Sequence, residues 1–230
     1  MMTVGFLSRV ALRRDASVQA LAGLLVPQGE GRQHGAAHHL LWVLFGDDPS
    51  RIRDFLWRQT EPGHFMILSA RKPLDRHGLF EIESREFTPN LRAGNRLRFL
   101  LRVNATVDRK VPGRKRSQRH DVVMDALYKL PPKERAAVRD SFVPTAMETW
   151  LARQGCRTGF ELKEGKLAIE SYDVLQIPRT QGQGKATFGV VDVTGELRVR
   201  APDLFTRALM QGFGRARAFG CGLMLVRRTI

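Results

Sequence analysis

Six histidines are the side chains of this 230-residue sequence best suited to move a proton near neutral pH, and three of them crowd one stretch, QHGAAHHLL. Ala37, Leu40, Leu41, Leu44 and Phe45 recur at helical spacing and predict a helix over 37–45. At about 100° per residue, His38 falls on the edge of that apolar face and His39 points toward solvent. An imidazole at such an edge is partly shielded yet can reach a cleft, where it serves as base or acid. It is equally a place for a boundary histidine packed for structure. His34 stands one turn earlier and shares the edge if the helix starts before Gly35. His64, His77 and His120 fall at strand ends or in loops and read as surface histidines. Cys156 and Cys221 form no CxxC pair and no zinc spacing, so neither a metal nor a cofactor is expected.

A second group of residues could hold phosphate. Gln211 to Leu225 reads QGFGRARAFGCGLML, where Gly212, Gly214, Gly220 and Gly222 give the pattern GxGxxxxxGxG and Arg215 and Arg217 supply charge within it. A dinucleotide-binding loop would need a βαβ unit after it, and a Walker A loop would need GK[ST]; both are missing. A plain helix-to-strand turn remains open for the segment. Arg109, Lys110, Arg114, Lys115, Arg116 and Arg119 crowd another segment, a solvated loop or a phosphate-contacting one. Arg179 to Lys185 (RTQGQGK) reads as a hairpin tip suited to a groove of duplex RNA.

The charge balance agrees with such partners. The formal net charge is +15, which points to a polyanion, while 43% hydrophobic residues suffice for a core. No apolar run nears the roughly 20 residues that span a bilayer, and MMTVGFLSRVALRRD lacks the apolar core of a secretory leader. A cytoplasmic protein without a membrane partner is expected.

The elements that must position these residues alternate between strand and helix. Strands are predicted over 4–12, 64–70 and 79–87, with helices at 18–26, 37–45 and 50–57. After a linker at 89–94 come a strand at 96–107, a flexible basic loop at 109–120, and helices at 122–128, 133–139 and 146–154. Strands at 160–162, 166–177, 186–191 and 196–200, a helix at 203–211 and a strand at 222–228 close the chain. The second half thus has the β-α-β-β-α-β order of a ferredoxin-like domain. The fold class is α+β, two tandem ferredoxin-like (RRM-like) domains, residues 1–93 and 94–230, the first incomplete or irregular.

Four segments together resemble one family. QGFGRARAFGCGLM, RLRFLLRVNAT, FLSRVAL and HHLLWVLFGDDPSRIRDFLWR are similar, respectively, to the C-terminal glycine loop, the strand opening the second domain, the first strand, and the first helix with its continuation in the CasE family of CRISPR-associated endoribonucleases. Positions 13–33 and 109–145 match poorly.

The resemblance implies a type I-E protein that cuts CRISPR repeat stem-loop RNA without a metal. The 2′-OH attacks its own 3′-phosphate and leaves a 2′,3′-cyclic phosphate, and the guide RNA is then retained among the other subunits of a Cascade complex. It assigns catalysis to His38, in whose neighbourhood some relatives carry a tyrosine where Gly35 stands here, leaving His34 as a candidate second proton-transfer group. The residues expected to contact RNA are Arg114, Lys115, Arg116 and Arg119 of the basic loop, Arg179 and Lys185 of the hairpin tip and, as the resemblance implies, Gly212, Gly214, Arg215, Arg217, Gly220 and Gly222 of the glycine loop. The alternative is an RNA stem-loop binder of the same fold that does not cut.

Overall fold

The computed structural model describes residues 5–15, 18–19, 21–27, 29–46, 50, 52–110, 113, 116–178 and 184–229. The alternating strand β1 (Gly5–Leu12) lies inside a four-stranded antiparallel sheet with β2 (Phe55–Glu61), β3 (His64–Ser69) and β4 (Phe80–Phe87), in the order β2-β3-β1-β4. One helix, α1 (Glu30–Trp42), covers one face. Its Ala37, Leu40 and Leu41 pack with Leu44 and Phe45 onto Val10, Phe55, Trp57, Phe65 and Ile67. This is the ferredoxin-like strand order without a helix between β3 and β4, the irregularity expected of the first half.

Two expectations change here. In place of the helix predicted over 50–57, residues 52–54 are irregular and 55–57 open the strand β2, whose run FLW is buried because both faces of its sheet are covered. The tight turn Pro62-Gly63 returns it to β3, and cross-strand pairing overrides the capping signal at Ser50. The helix predicted over 37–45 starts at Glu30, despite Gly31 and Gly35.

The second sheet has the order β11-β5-β10-β8, built from β5 (Arg96–Val103), β8 (Phe160–Leu162), β10 (Lys185–Val199) and β11 (Met224–Arg228). The strand β9 (Ala168–Pro178) continues the outer edge of β10. Helices α3 (Arg135–Thr158) and α4 (Pro202–Gln211) cover its core face, where Phe99, Leu101, Met147, Leu151, Phe205 and Leu209 are buried. The helices expected at 133–139 and 146–154 are one helix, Pro144 included. The strands expected at 186–191 and 196–200 are likewise one. The flexible loop expected at 109–120 is bounded by a hairpin of β6 (Thr106–Arg109) and β7 (Gln118–Asp121). It leads into the short helix α2 (Val122–Ala126), which Asp121 caps by accepting from the Val123 and Met124 amides at 2.9 and 3.1 Å. No helix among the described residues is long and apolar enough to cross a membrane.

The two sheets are fastened to each other. Leu56 and Leu68 of the first meet Leu223 of the second in a small apolar cluster. Beside it, Asp192 of β10 accepts from Arg58 of β2 and Arg102 of β5, each at 2.8 Å, with all three side chains largely buried. Removing one partner of such a buried pair costs about 3–5 kcal/mol, because the remaining charge stays desolvated.

Candidate functional site

Only the inner part of β10 pairs with β5, from Val191 to Arg198. Lys185 to Val190 pair with Asp173 to Pro178 of β9 alone, so the hairpin runs on as an arm beyond the sheet. The arm lies on α1, and the helix is shaped for it. A Cβ on Gly31 would sit 2.0 Å from the Gln176 carbonyl oxygen, and one on Gly35 would touch Ile177. The two glycines that made the start of α1 hard to read are thus the flat stripe on which the arm rests.

A pocket of about 530 Å³ opens beside this contact. Its floor is His38 and His39 of α1, one wall is Ile177, Pro178 and Ala186 of the arm, and the other is Phe219. Phe219 closes the helical turn Arg217–Phe219 inside the glycine loop. Its ring centroid is 6.1 Å from that of His38 and 5.8 Å from that of Phe188 on the arm. The His38 ring also approaches His39 at 5.4 Å and Trp42 at 6.5 Å. His38 is half-buried, and its Nδ1 is enclosed without a hydrogen-bond partner among the described residues. Burial pushes its pKa down to about 4, helped by the charges of His39 and Arg53. In the free protein at pH 7 His38 is therefore neutral and ready to accept a proton.

Cations form a chain through this region. Burial lowers the Arg53 pKa, and Arg217 lowers it further; burial lowers that of Arg217, and Arg215 adds to it. None of the three makes an ion pair with a carboxylate among the described residues. Asp54, next to Arg53 in sequence, is turned to Arg71, accepting from it at 2.7 and 3.1 Å. Among the described residues Arg217 donates to the Gly214 carbonyl, at 3.2 Å. Half-buried guanidinium groups left without a counter-ion are costly, and they mark a place where an anion would be welcome.

The glycine loop is held by protein. Gly212 packs against Leu56 and Gly220 against Trp57, both on β2; Gly214 lies on the Asn104 carbonyl and Gly222 on that of Phe213. All four take positive φ, from 67° to 94°. The Arg215 amide donates to the Asn104 carbonyl at 3.0 Å, and the Gly222 amide to that of Arg102 at 2.7 Å. The side chain of Asn104 donates to the Gly189 carbonyl at 2.7 Å, so one buried residue sets both the arm and the loop.

The sequence-derived candidates separate in space. Arg215 and Arg217 share one face of the glycine loop, and it is Phe219 of that loop that reaches His38. His34 lies inside the lengthened helix and is buried, its ring 6.0 Å from Trp57 and off the pocket wall. His39, expected on the solvent side, is exposed but lines the pocket with His38, because the pocket mouth spans adjacent positions of the helix. Arg116 and Arg119 stand on the β6–β7 hairpin, Arg119 paired with Asp108 at 3.2 Å. Lys185 meets Gln176 at the base of the arm's tip, at 3.2 Å. Arg114, Lys115 and Arg179 lie outside the described residues. Arg53 was missed, hidden in the supposed helix over 50–57; its signal was the alternating Arg51-x-Arg53 just ahead of an apolar run. No three His, Cys, Asp or Glu side chains among the described residues gather as a metal would require.

Fold and site define a class: double ferredoxin-like proteins with a histidine on the first helix and a glycine loop, close to the final strand, packed against it. The family model described as CRISPR associated protein matches residues 6–228, and the chain belongs to that family, in its CasE branch. The Cascade subunit CasE of Escherichia coli K12 is 24% identical over 215 residues, 89% of this chain and 96% of that protein. Among solved structures, CRISPR endoribonuclease Cse3 bound to a 19-nucleotide RNA superposes with a TM-score of 0.66 at 23% identity, covering 97% of this chain and 99% of that one. Cse3 of Thermus thermophilus, bound to an RNA representing a pre-cleavage complex, gives 0.65 at 23% identity, covering 97% and 98%.

Proposed function

We propose that this protein is an endoribonuclease that cuts CRISPR repeat stem-loop RNA by internal transesterification and keeps the product. The observation that carries the reading is a half-buried, neutral imidazole in a pocket within reach of the charge of Arg53, which, like Arg217, pairs with no carboxylate among the described residues. RNA supplies the nucleophile. His38 takes the proton of the 2′-OH as O2′ bonds to phosphorus, Arg217 and Arg53 face the charge gathering on the phosphorane, and the P–O5′ bond breaks. The leaving 5′-oxygen takes a proton from a second donor, His39 in the same pocket or His34 one turn earlier. The products are a 2′,3′-cyclic phosphate and a free 5′-hydroxyl. No step calls for a metal.

The relatives, named as a Cascade subunit of a CRISPR system and as a CRISPR endoribonuclease bound to RNA, support RNA as substrate and a Cascade complex as the setting. Residues 1–93 carry the general base, and residues 94–230 the arm, the glycine loop and the basic hairpin. Incubation with synthetic stem-loop repeat RNA in excess chelator tests the proposal. The expected product carries a cyclic phosphate end, and replacing the attacking 2′-OH by hydrogen abolishes cutting. Cleavage that dies with chelator and returns with magnesium overturns the mechanism.

A further inference from the structure

On the far side of the glycine loop from His38 lies a second depression, of about 360 Å³, where the ends of α3 and α4 meet β6. Its walls are mostly polar. Gln154 and Arg157 come from α3, Gln211 from the end of α4, and Arg215 and Arg217 from the loop. Asp108 lies on its rim but is engaged by Arg119 at 3.2 Å. Arg157 donates to the Gln154 side-chain oxygen at 2.8 Å, which holds the two side chains side by side. Arg157 also sits in the last turn of α3, where a cation suits the helix dipole. That accounts for one charge, and leaves unexplained Gln211 and the two further arginines that converge there from other elements.

Arg217 belongs to both places. It lines this groove, and its charge acts on Arg53, which acts in turn on His38. The groove therefore begins where the histidine pocket ends. Guanidinium forks match phosphate, and glutamine amides match the edges of an unpaired base. The volume lies near the lower end of small-ligand sites, roughly 300–1,000 Å³, and admits a nucleotide but no duplex.

We infer that this groove is a subsite for an unpaired nucleotide flanking the scissile phosphate, its phosphate on Arg157 and Arg215 and its base edge on Gln154 or Gln211. The inference rests on the endoribonuclease reading above. It makes the enzyme sense whether single-stranded RNA continues past the stem, and it does so with side chains that take no part in the chemistry.

The test compares three RNAs: the bare stem-loop cut off one nucleotide beyond the scissile phosphate, and the same stem-loop extended by single strand on its 5′ or on its 3′ side. Wild type is expected to bind one extended RNA more tightly than the bare one, and which one gives the polarity of the strand in the groove. The Gln154→Ala/Arg157→Ala double variant is expected to lose that gain, about 10–100-fold for a charge-assisted contact with phosphate, while cutting the bare stem-loop at the wild-type rate. Arg157→Lys should restore part of the gain. A double variant that keeps the full gain, or that loses affinity equally for all three RNAs, overturns the subsite. If wild type cuts none of the three, the endoribonuclease reading itself has failed.

Discussion

Two arginine-bearing regions of this molecule differ in how their charge is held. On the β6–β7 hairpin, Arg109 is forked onto Asp125 and Arg119 is paired with Asp108, all in or near solvent. Behind the histidine pocket and the glycine loop, Arg53 and Arg217 are half-buried, and neither has a carboxylate partner among the described residues. The hairpin has the denser run of basic residues in sequence, yet two of its described arginines, Arg109 and Arg119, are already balanced within the fold. Desolvation without a partner separates a cation that awaits an anion from one that merely decorates a surface.

The largest effect that sharpens this contrast falls on the base. His38→Ala should cut repeat RNA about 10²–10⁴ times more slowly while binding it with near wild-type affinity, read by single-turnover cleavage and a binding isotherm. The same variant carries a pH signature. The folded-state pKa of His38, about 4, lies below the ordinary 6.5. Its neutral form therefore contributes stability above pH 6.5 that is lost as pH falls toward 4. His38→Ala should weaken the loss of stability between pH 6.5 and 4, measured by denaturant unfolding at each pH. A variant that loses binding together with cutting would make His38 an RNA-contact residue and favour the stem-loop binder.

The next effect tests the half-buried cations. Arg53→Ala should lower kcat more than it raises KM, because its proposed partner is charge that develops in the transition state. A loss of about 10–100-fold is expected, from one charge-assisted hydrogen bond. An effect confined to KM would move Arg53 out of the chemistry. The smallest effect belongs to the hairpin. Arg116→Ala/Arg119→Ala should weaken binding of cognate and unrelated duplexes alike, reduce the slope of affinity against salt by about one to two, and leave kcat unchanged. A loss restricted to the cognate stem would turn the hairpin from a positioning surface into a reader of sequence.

The sequence made some of this legible and hid the rest for physical reasons. Local alternation is strong in β1, β3, β4 and β5, and these strands stand close to where periodicity puts them. The second lobe's order could be read because each of its elements carries its own signal. The strand β2 could not, since its buried run FLW looks the same in helix and strand, and only its pairing with β3 decides. Misreading it concealed Arg53. The pocket's position on His38 was legible; its walls were not, because the arm and Phe219 reach α1 through tertiary packing alone. The glycines of the loop were read as room for a ligand, yet much of that room is filled by Leu56 and Trp57.

The placement of Phe219 opposite His38 bears on the order in which this protein comes into being. A ribosome delivers α1 early and the glycine loop late, and domains emerging first begin to fold first. Through most of its synthesis the nascent chain holds its histidine beside an unfinished cavity, with neither Arg217 nor the aromatic wall to trap a phosphodiester. The proposed catalytic centre is thus withheld until the second lobe docks, and under that reading transcripts near a translating ribosome meet an incompetent chain rather than a half-made nuclease.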